Sequence, residues 1–213
     1  ELELYEGLEA SSQNCWPNVK FDIGGINNFI SPLIPAGFYY KTFMWPKSFW
    51  KKVYEPLIRL SAGLGKSPTE PDPDIYDHKY VHYDVLVIGG GVSGIIAAKM
   101  AAKNNLKTLL VDDKKILGGS TIYQNNESIK IDDKLSSEWL KNEIQEIKKL
   151  SNLTIKTRTS IAAYHGYNFL LAKENLTDHL PEEKKKNKIR QRLWKIRAKK
   201  VVIATGSIER PLV

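Results

Sequence analysis

Gly89, Gly91 and Gly94 stand in a GxGxxG spacing, and Asp112 follows Gly89 by 23 positions. Glycines so spaced suit a backbone that receives a pyrophosphate. The first permits a tight turn, the second lets the phosphate approach the chain, and the third lets a helix pack closely on a strand. With Val92 and Ser93 between the last two, the anion would sit at a helix N-terminus, where unpaired N–H groups and the helix dipole favour it. A carboxylate about twenty residues further on can accept from a ribose diol. An acid rather than an arginine there favours an adenosine ribose without a 2′-phosphate, so FAD or NAD over NADP. Asp112 is preferred to Asp113 because it directly follows the strand.

The elements around these residues supply the context that a lone glycine motif lacks. In YDVLVIGGGVSGIIAAKMAAKNNLKTLLVDD, the run Val85-Leu86-Val87-Ile88 has the composition of a buried parallel strand. Residues 95–102 form a helix that Asn104 and Asn105 stop, and residues 108–111 form a second strand ending at Asp112 and Asp113. Leu117-Gly118-Gly119-Ser120-Thr121 resembles a loop that wraps a dinucleotide from its far side, which adds Gly119, Ser120 and Thr121 to the candidate site. Ser136-Ser137-Glu138 starts a second helix, with the serines as caps and Trp139, Leu140, Ile144, Ile147 and Leu150 as its apolar stripe. Residues 154–161 alternate and are β-branched, which predicts a third strand. A hairpin turning at Gly166-Tyr167-Asn168 follows. Residues 193–204 supply the closing strands and end in Ala204, Thr205 and Gly206, also candidate site residues. The expected fold is α/β: a Rossmann-type parallel sheet of the two-dinucleotide flavoprotein kind, with an antiparallel insertion, preceded by an irregular aromatic-rich segment.

Composition divides the chain. Residues 1–60 carry 12 of the 21 aromatics, threaded with prolines and glycines that argue against a regular helical domain. Such a segment packs against another domain or subunit, or against itself as a small cap. GKSPTEPDPDIYD (residues 65–77) reads as a Pro/Asp linker. The net charge of +8 raises nucleic acid as a partner, since residues 182–200 hold ten Lys or Arg. Trp194 is the one aromatic interleaved with them, so a solvated hairpin arm is the better reading. The single cysteine, Cys15, excludes an internal disulfide and fits a reducing cytoplasm. There is no signal peptide and no long apolar run, so no membrane partner is expected. The four histidines show no ligand spacing, no metal site is expected, and no catalytic residue stands out; any chemistry belongs to a cofactor. Glu1 is not a methionine and only nine residues follow the last strand-like run, so the chain reads as a segment of a longer polypeptide.

LYEGLEASSQNCWPNVKFDIGGINNFISPLIPAGFYYKTFMWPKSFWKKVYEPLIRLSAGLG, then YDVLVIGGG, LLVDD and RLWKIRAKKVVIATGSIERPLV, resemble the α subunit of heterotetrameric sarcosine oxidases. PAGFYYKTFMWP and ATGSIERPLV are the most specific parts of that likeness. The resemblance implies that residues 1–17 are the tail of a ferredoxin-like domain and that 81–213 are an incomplete dinucleotide-binding domain; between them composition gives 18–64 as the aromatic-rich packing segment and 65–80 as the linker. It implies oxidative demethylation of sarcosine to glycine, with hydrogen peroxide and, from tetrahydrofolate, methylenetetrahydrofolate as further products. It places NAD in this segment, FAD and FMN elsewhere, and β, γ and δ subunits as partners, with amine and tetrahydrofolate bound outside the segment. By the same resemblance, Gly89, Gly91 and Gly94 cradle the pyrophosphate, Asp112 takes the ribose, and Ile161 lies where backbone meets adenine. The alternative is the FAD-binding half of a self-contained amine, opine or pyridine-nucleotide oxidoreductase. That reading calls for a CxxC pair or an active-site base, and Cys15 has no such partner cysteine.

Overall fold

The computed structural model describes residues 3–10, 12, 15, 17–26, 29, 32, 37, 43, 45–63, 68–123 and 129–207. Phe38, Tyr39, Tyr40 and residues 208–213 lie outside these. Two compact units form, one from Glu1–Glu6 with Asp74–Val213 and one from Gly7–Pro73.

The larger unit is built on strand β1 (Ile75–Ile88), helix α1 (Val92–Lys103), β2 (Thr108–Val111), α2 (Ser136–Lys148), β3 (Leu153–Lys156), β4 (Thr159–His165), β5 (Phe169–Asn175) and β6 (Ile189–Ile203). They make one six-stranded sheet in the order β3-β2-β1-β6-β5-β4. β3, β2, β1 and β6 run parallel, and β6, β5 and β4 continue as an antiparallel meander. The parallel strands end together, at Ile88, Val111, Lys156 and Ile203. The chain order reverses between β1 and β6, and the cleft outside strand ends at such a reversal is where this architecture binds ligands.

Alternation along β1 sorts its side chains onto two faces. Val85 and Val87 pack with Ile95, Ala98, Leu110, Leu117 and Ile147 beneath the helices. Leu86 turns the other way and packs with Leu109, Val111, Leu170, Ala172, Ile196 and Ala198, so the meander closes the second face. Leu86, Ile95, Leu110, Ile147, Leu170 and Ile196 are fully buried, each contributing about 1.5–3 kcal/mol from removal of apolar surface. Truncating Leu110 to alanine would open a cavity at the centre of the helix-side core and cost about 2–5 kcal/mol.

Four sequence expectations change. β1 begins at Ile75, not Val85, so part of the stretch read as linker is strand. Its first half pairs with β6, and apart from Ile75 its exposed residues are polar or aromatic. The single third strand is two: β3 pairs with β2, the chain turns at Arg158 (φ 51°), and β4 pairs with β5. The serines do not cap α2. Ser136 lies inside the first turn, its N–H donates to the Ile129 carbonyl, and its buried hydroxyl has no hydrogen-bond partner among the described residues. Most of the basic stretch is no solvated arm, since residues 189–203 form β6 between β1 and β5. There Arg192 makes a two-pronged pair with Asp77 (2.7 and 2.9 Å), and Arg190 pairs with Asp178 (2.6 Å) and Asp74.

The smaller unit has two two-residue strands, Pro17–Asn18 and Phe21–Asp22, and a helix, Glu55–Ser61, entered through a wide turn at Trp50–Tyr54. Phe43 and Phe49 pack on Tyr54 with ring centroids 5.2 and 6.2 Å away, and the Tyr54 hydroxyl donates to the Trp45 carbonyl at 3.0 Å. Trp45 is 81% exposed and Phe29 86%.

Candidate dinucleotide site

Each strand end delivers one part of the site. β1 runs into Gly89, whose φ of 103° is a conformation that L side chains rarely adopt. A Cβ there would also stand 2.3 Å from the Ala204 carbonyl oxygen. At Gly94 a Cβ would fall 1.8 Å from the Gly89 oxygen, so helix α1 can approach the turn only with glycine. Gly91 differs: an added Cβ would meet only the Gly119 Cα, at 3.9 Å. The fold does not need a glycine at 91 for its own packing. The open side of Gly91 is the space a pyrophosphate occupies in such turns. α1 begins at Val92, so the amides of Val92, Ser93 and Gly94 belong to the first turn, which a helix leaves without internal acceptors. These residues fit a dinucleotide's phosphates.

Asp112 closes the turn from β2. Its Oδ2 accepts from the Gly90 N–H at 2.5 Å and its Oδ1 from the Lys114 N–H at 2.8 Å. The carboxylate is nearly buried. It has about four acceptor positions, of which these bonds use two, which leaves capacity for ribose hydroxyls. Asp113 is exposed instead, with the Lys114 ammonium 3.6 Å from its carboxylate. The structure thus separates the two acids: Asp112 faces the glycine turn and Asp113 faces solvent.

The loop after β2 folds back onto the glycines. The Gly118 N–H donates to the Gly90 carbonyl at 2.7 Å, and a Cβ on Gly119 would lie 3.0 Å from the Gly91 Cα. Ser120 is exposed. Thr121 is buried and its hydroxyl donates to the Gly118 carbonyl, so this side chain closes its own turn. From β6, the Ala204 N–H donates to the Ile88 carbonyl at 2.8 Å, and Thr205 and Gly206 follow, exposed. Residues 89–94, Asp112, residues 118–121 and Ala204 therefore meet in one place. Ile161 is linked less directly. Its side chain packs in the meander core, and Thr159, two residues earlier, reaches the site's framework by donating its N–H to the Asp112 carbonyl at 2.8 Å.

Sequence reasoning missed two contributors. Gly90, an unspecified position of the motif, must also be small: its Cβ would lie 2.4 Å from Leu117 Cδ2 and 2.9 Å from Asp112 Oδ2. The triple glycine was the available signal. Arg158 is the other. It joins β3 to β4, donates its N–H to the Lys114 carbonyl at 2.9 Å, and grips Glu3 with its guanidinium. Among the described residues no cluster of His, Cys, Asp or Glu could hold a metal, and no helix is long and apolar enough to cross a membrane.

Residues 84–199 match the family of FAD dependent oxidoreductases. Over 211 residues, 99% of its length, the chain is 43% identical to the sarcosine oxidase subunit alpha of Rhizobium meliloti (strain 1021), of which it covers 21%. It is 35% identical over 72% of its length to the subunit of the same name from Corynebacterium sp. (strain U-96), of which it covers 16%. The chain thus spans about a fifth or less of the length of these relatives. Among solved structures, L-proline dehydrogenase from P. horikoshii superposes with a TM-score of 0.48 at 27% identity, over 63% of this chain and 25% of that one. The match over residues 84–199, more than half the chain, places it in a family: it belongs to the FAD dependent oxidoreductases.

Proposed function

We propose that this chain is the dinucleotide-binding segment of a sarcosine oxidase α subunit, and that its glycine turn holds NAD. Asp112 carries the reading. It ties the end of β2 to Gly90 and keeps acceptor capacity for an unphosphorylated ribose diol, while Gly91 leaves the phosphate side open. Residues 91–94 bind the pyrophosphate, Asp112 orients the adenosine ribose, and the backbone at Ile161 borders the adenine. The loop at Gly119 and Ser120 and the segment Ala204, Thr205 and Gly206 exclude water from the cofactor's flanks. When bound, a nicotinamide supplies a hydride acceptor or donor; no side chain of this segment is assigned a bond-making role.

The likeness at 43% identity supports the wider reading. The whole cytoplasmic enzyme oxidatively demethylates sarcosine to glycine, yielding hydrogen peroxide and, with tetrahydrofolate, methylenetetrahydrofolate. FAD and FMN are held elsewhere in a complex with β, γ and δ subunits. FAD in the glycine turn is the second reading, favoured by the family match. Both are tested by denaturing the purified full-length protein and identifying the released nucleotides by mass, beside a sarcosine turnover assay. NAD released in step with nucleotide-site occupancy supports the first reading. FAD as the sole released dinucleotide supports the second, and an absence of sarcosine turnover removes the substrate assignment.

A further inference from the structure

Glu3 lies 155 residues from Arg158 in sequence, yet the two form a forked pair. Arg158 Nε donates to Glu3 Oε2 at 2.7 Å and Nη2 to Glu3 Oε1 at 3.1 Å, with both side chains more than two-thirds buried. Lys115 Nζ stands 3.9 Å from the same carboxylate. The hydrogen bond from Arg158, against some cost of burial and aided by the charges of Arg158, His179 and Lys115, holds the Glu3 carboxyl below its ordinary range. Parallel two-pronged pairing of this kind is directional as well as strong, and a lysine could not reproduce it.

Arg158 is fixed by its backbone too. It sits in the left-handed region, φ 51°, where a non-glycine residue stays only if its surroundings hold it. Its N–H donates to the Lys114 carbonyl and its carbonyl accepts from the Asn175 N–H, both at 2.9 Å. Lys114 in turn donates its N–H to Asp112 Oδ1, and Thr159, next to Arg158, donates to the Asp112 carbonyl. An arginine is therefore anchored one hydrogen bond away from the chain that carries the ribose acceptor. In dinucleotide-binding folds an arginine beside that acceptor is what accommodates a 2′-phosphate. Here its guanidinium is engaged by Glu3.

We infer that Glu3 is a specificity-determining residue: by engaging Arg158, and drawing on Lys115, it withholds the cations that would receive a 2′-phosphate, and so restricts the site to an unphosphorylated ribose. The inference rests on the NAD reading above. It also gives the first residues of the chain a role in the larger unit, of which Glu1–Glu6 are part.

Titration of nucleotide-stripped full-length protein with NAD+ and with NADP+ tests it. Wild type should prefer NAD+. Glu3→Ala should shift the ratio of the two affinities toward NADP+ by about tenfold or more, the scale of one charge-assisted contact. Adding Arg158→Ala to that variant should return the ratio to the wild-type value, a recovery that general loosening of the fold would not give. A wild type that binds NAD+ with a ratio unchanged in Glu3→Ala overturns this inference and leaves the NAD reading standing. A wild type that binds neither nucleotide overturns both.

Discussion

Gly91 and Gly94 belong to one motif but answer to different constraints. A Cβ at Gly94 collides with backbone oxygen at 1.8 Å, which no rotamer change can relieve. Gly94→Ala should therefore destabilise the larger unit by about 3 kcal/mol or more, read as a lower denaturant midpoint with the slope unchanged. Asp112 combines both kinds of constraint. Asp112→Asn replaces an acceptor by an N–H2 group facing either the buried Gly90 N–H or the part-buried Lys114 N–H. It should cost about 1–3 kcal/mol of stability and weaken dinucleotide binding by roughly tens-fold. Asp113→Asn, at an exposed position, should do neither. Calorimetric titration paired with thermal unfolding checks all three, and equal losses at 112 and 113 would contradict the placement of the ribose at Asp112.

Helices α1 and α2 cover one face of the sheet and are joined by Lys99, whose ammonium lies 2.7 Å from both Glu143 and Glu146. The hydrogen bonds that Lys99 donates to Glu143 and then to Glu146 raise the Lys99 pKa above its ordinary 10.5, and the bond Glu146 accepts from Lys99 lowers that of Glu146 below 4.5. A lowered carboxyl contributes stability above its unfolded value and loses it as the pH falls through the folded one. A raised ammonium contributes below 10.5 and loses it as the pH climbs past that. Lys99→Met should thus lower the Tm by a near-constant amount between about pH 5 and 10, with the deficit shrinking on the acid side. A deficit that persisted undiminished well below pH 4 would assign the effect to packing. At this scale the sequence was most legible where local pattern and tertiary role agree. The four residues of β2 are all buried, so their apolar run and their strand bounds coincide. The end of α1 at Asn104 likewise follows from local chemistry. The break at Arg158 was hidden because β-branched residues continue on both sides of it, and the change of partner from β2 to β5 is a tertiary fact. The first half of β1 was hidden by its water-facing side. In the site, Asp112 was readable from spacing, whereas Glu3 and Arg158 pair across 155 residues and leave no local signature.

For the molecule as a whole, the Gly7–Pro73 unit carries large apolar side chains in water: Val19, Phe21, Phe29, Trp45, Leu57 and Leu60 are all more than half exposed. These exposed side chains motivate the prediction that another domain or subunit covers this unit. Trp45→Ala keeps the backbone carbonyl that Tyr54 uses, so the unit should fold normally. The expected outcome is a lower yield or thermal stability of the assembled enzyme, with turnover per intact complex nearly unchanged. Normal assembly with lost turnover would point instead to a cofactor contact. Gly91→Val probes the glycine turn as the seat of a dinucleotide. The side chain enters space that the protein leaves open, so the fold should survive, but it occupies the place of the pyrophosphate. The full-length variant should unfold within about 1 kcal/mol of wild type and release no dinucleotide on denaturation, where wild type releases it. Equal release from the two proteins would contradict the site.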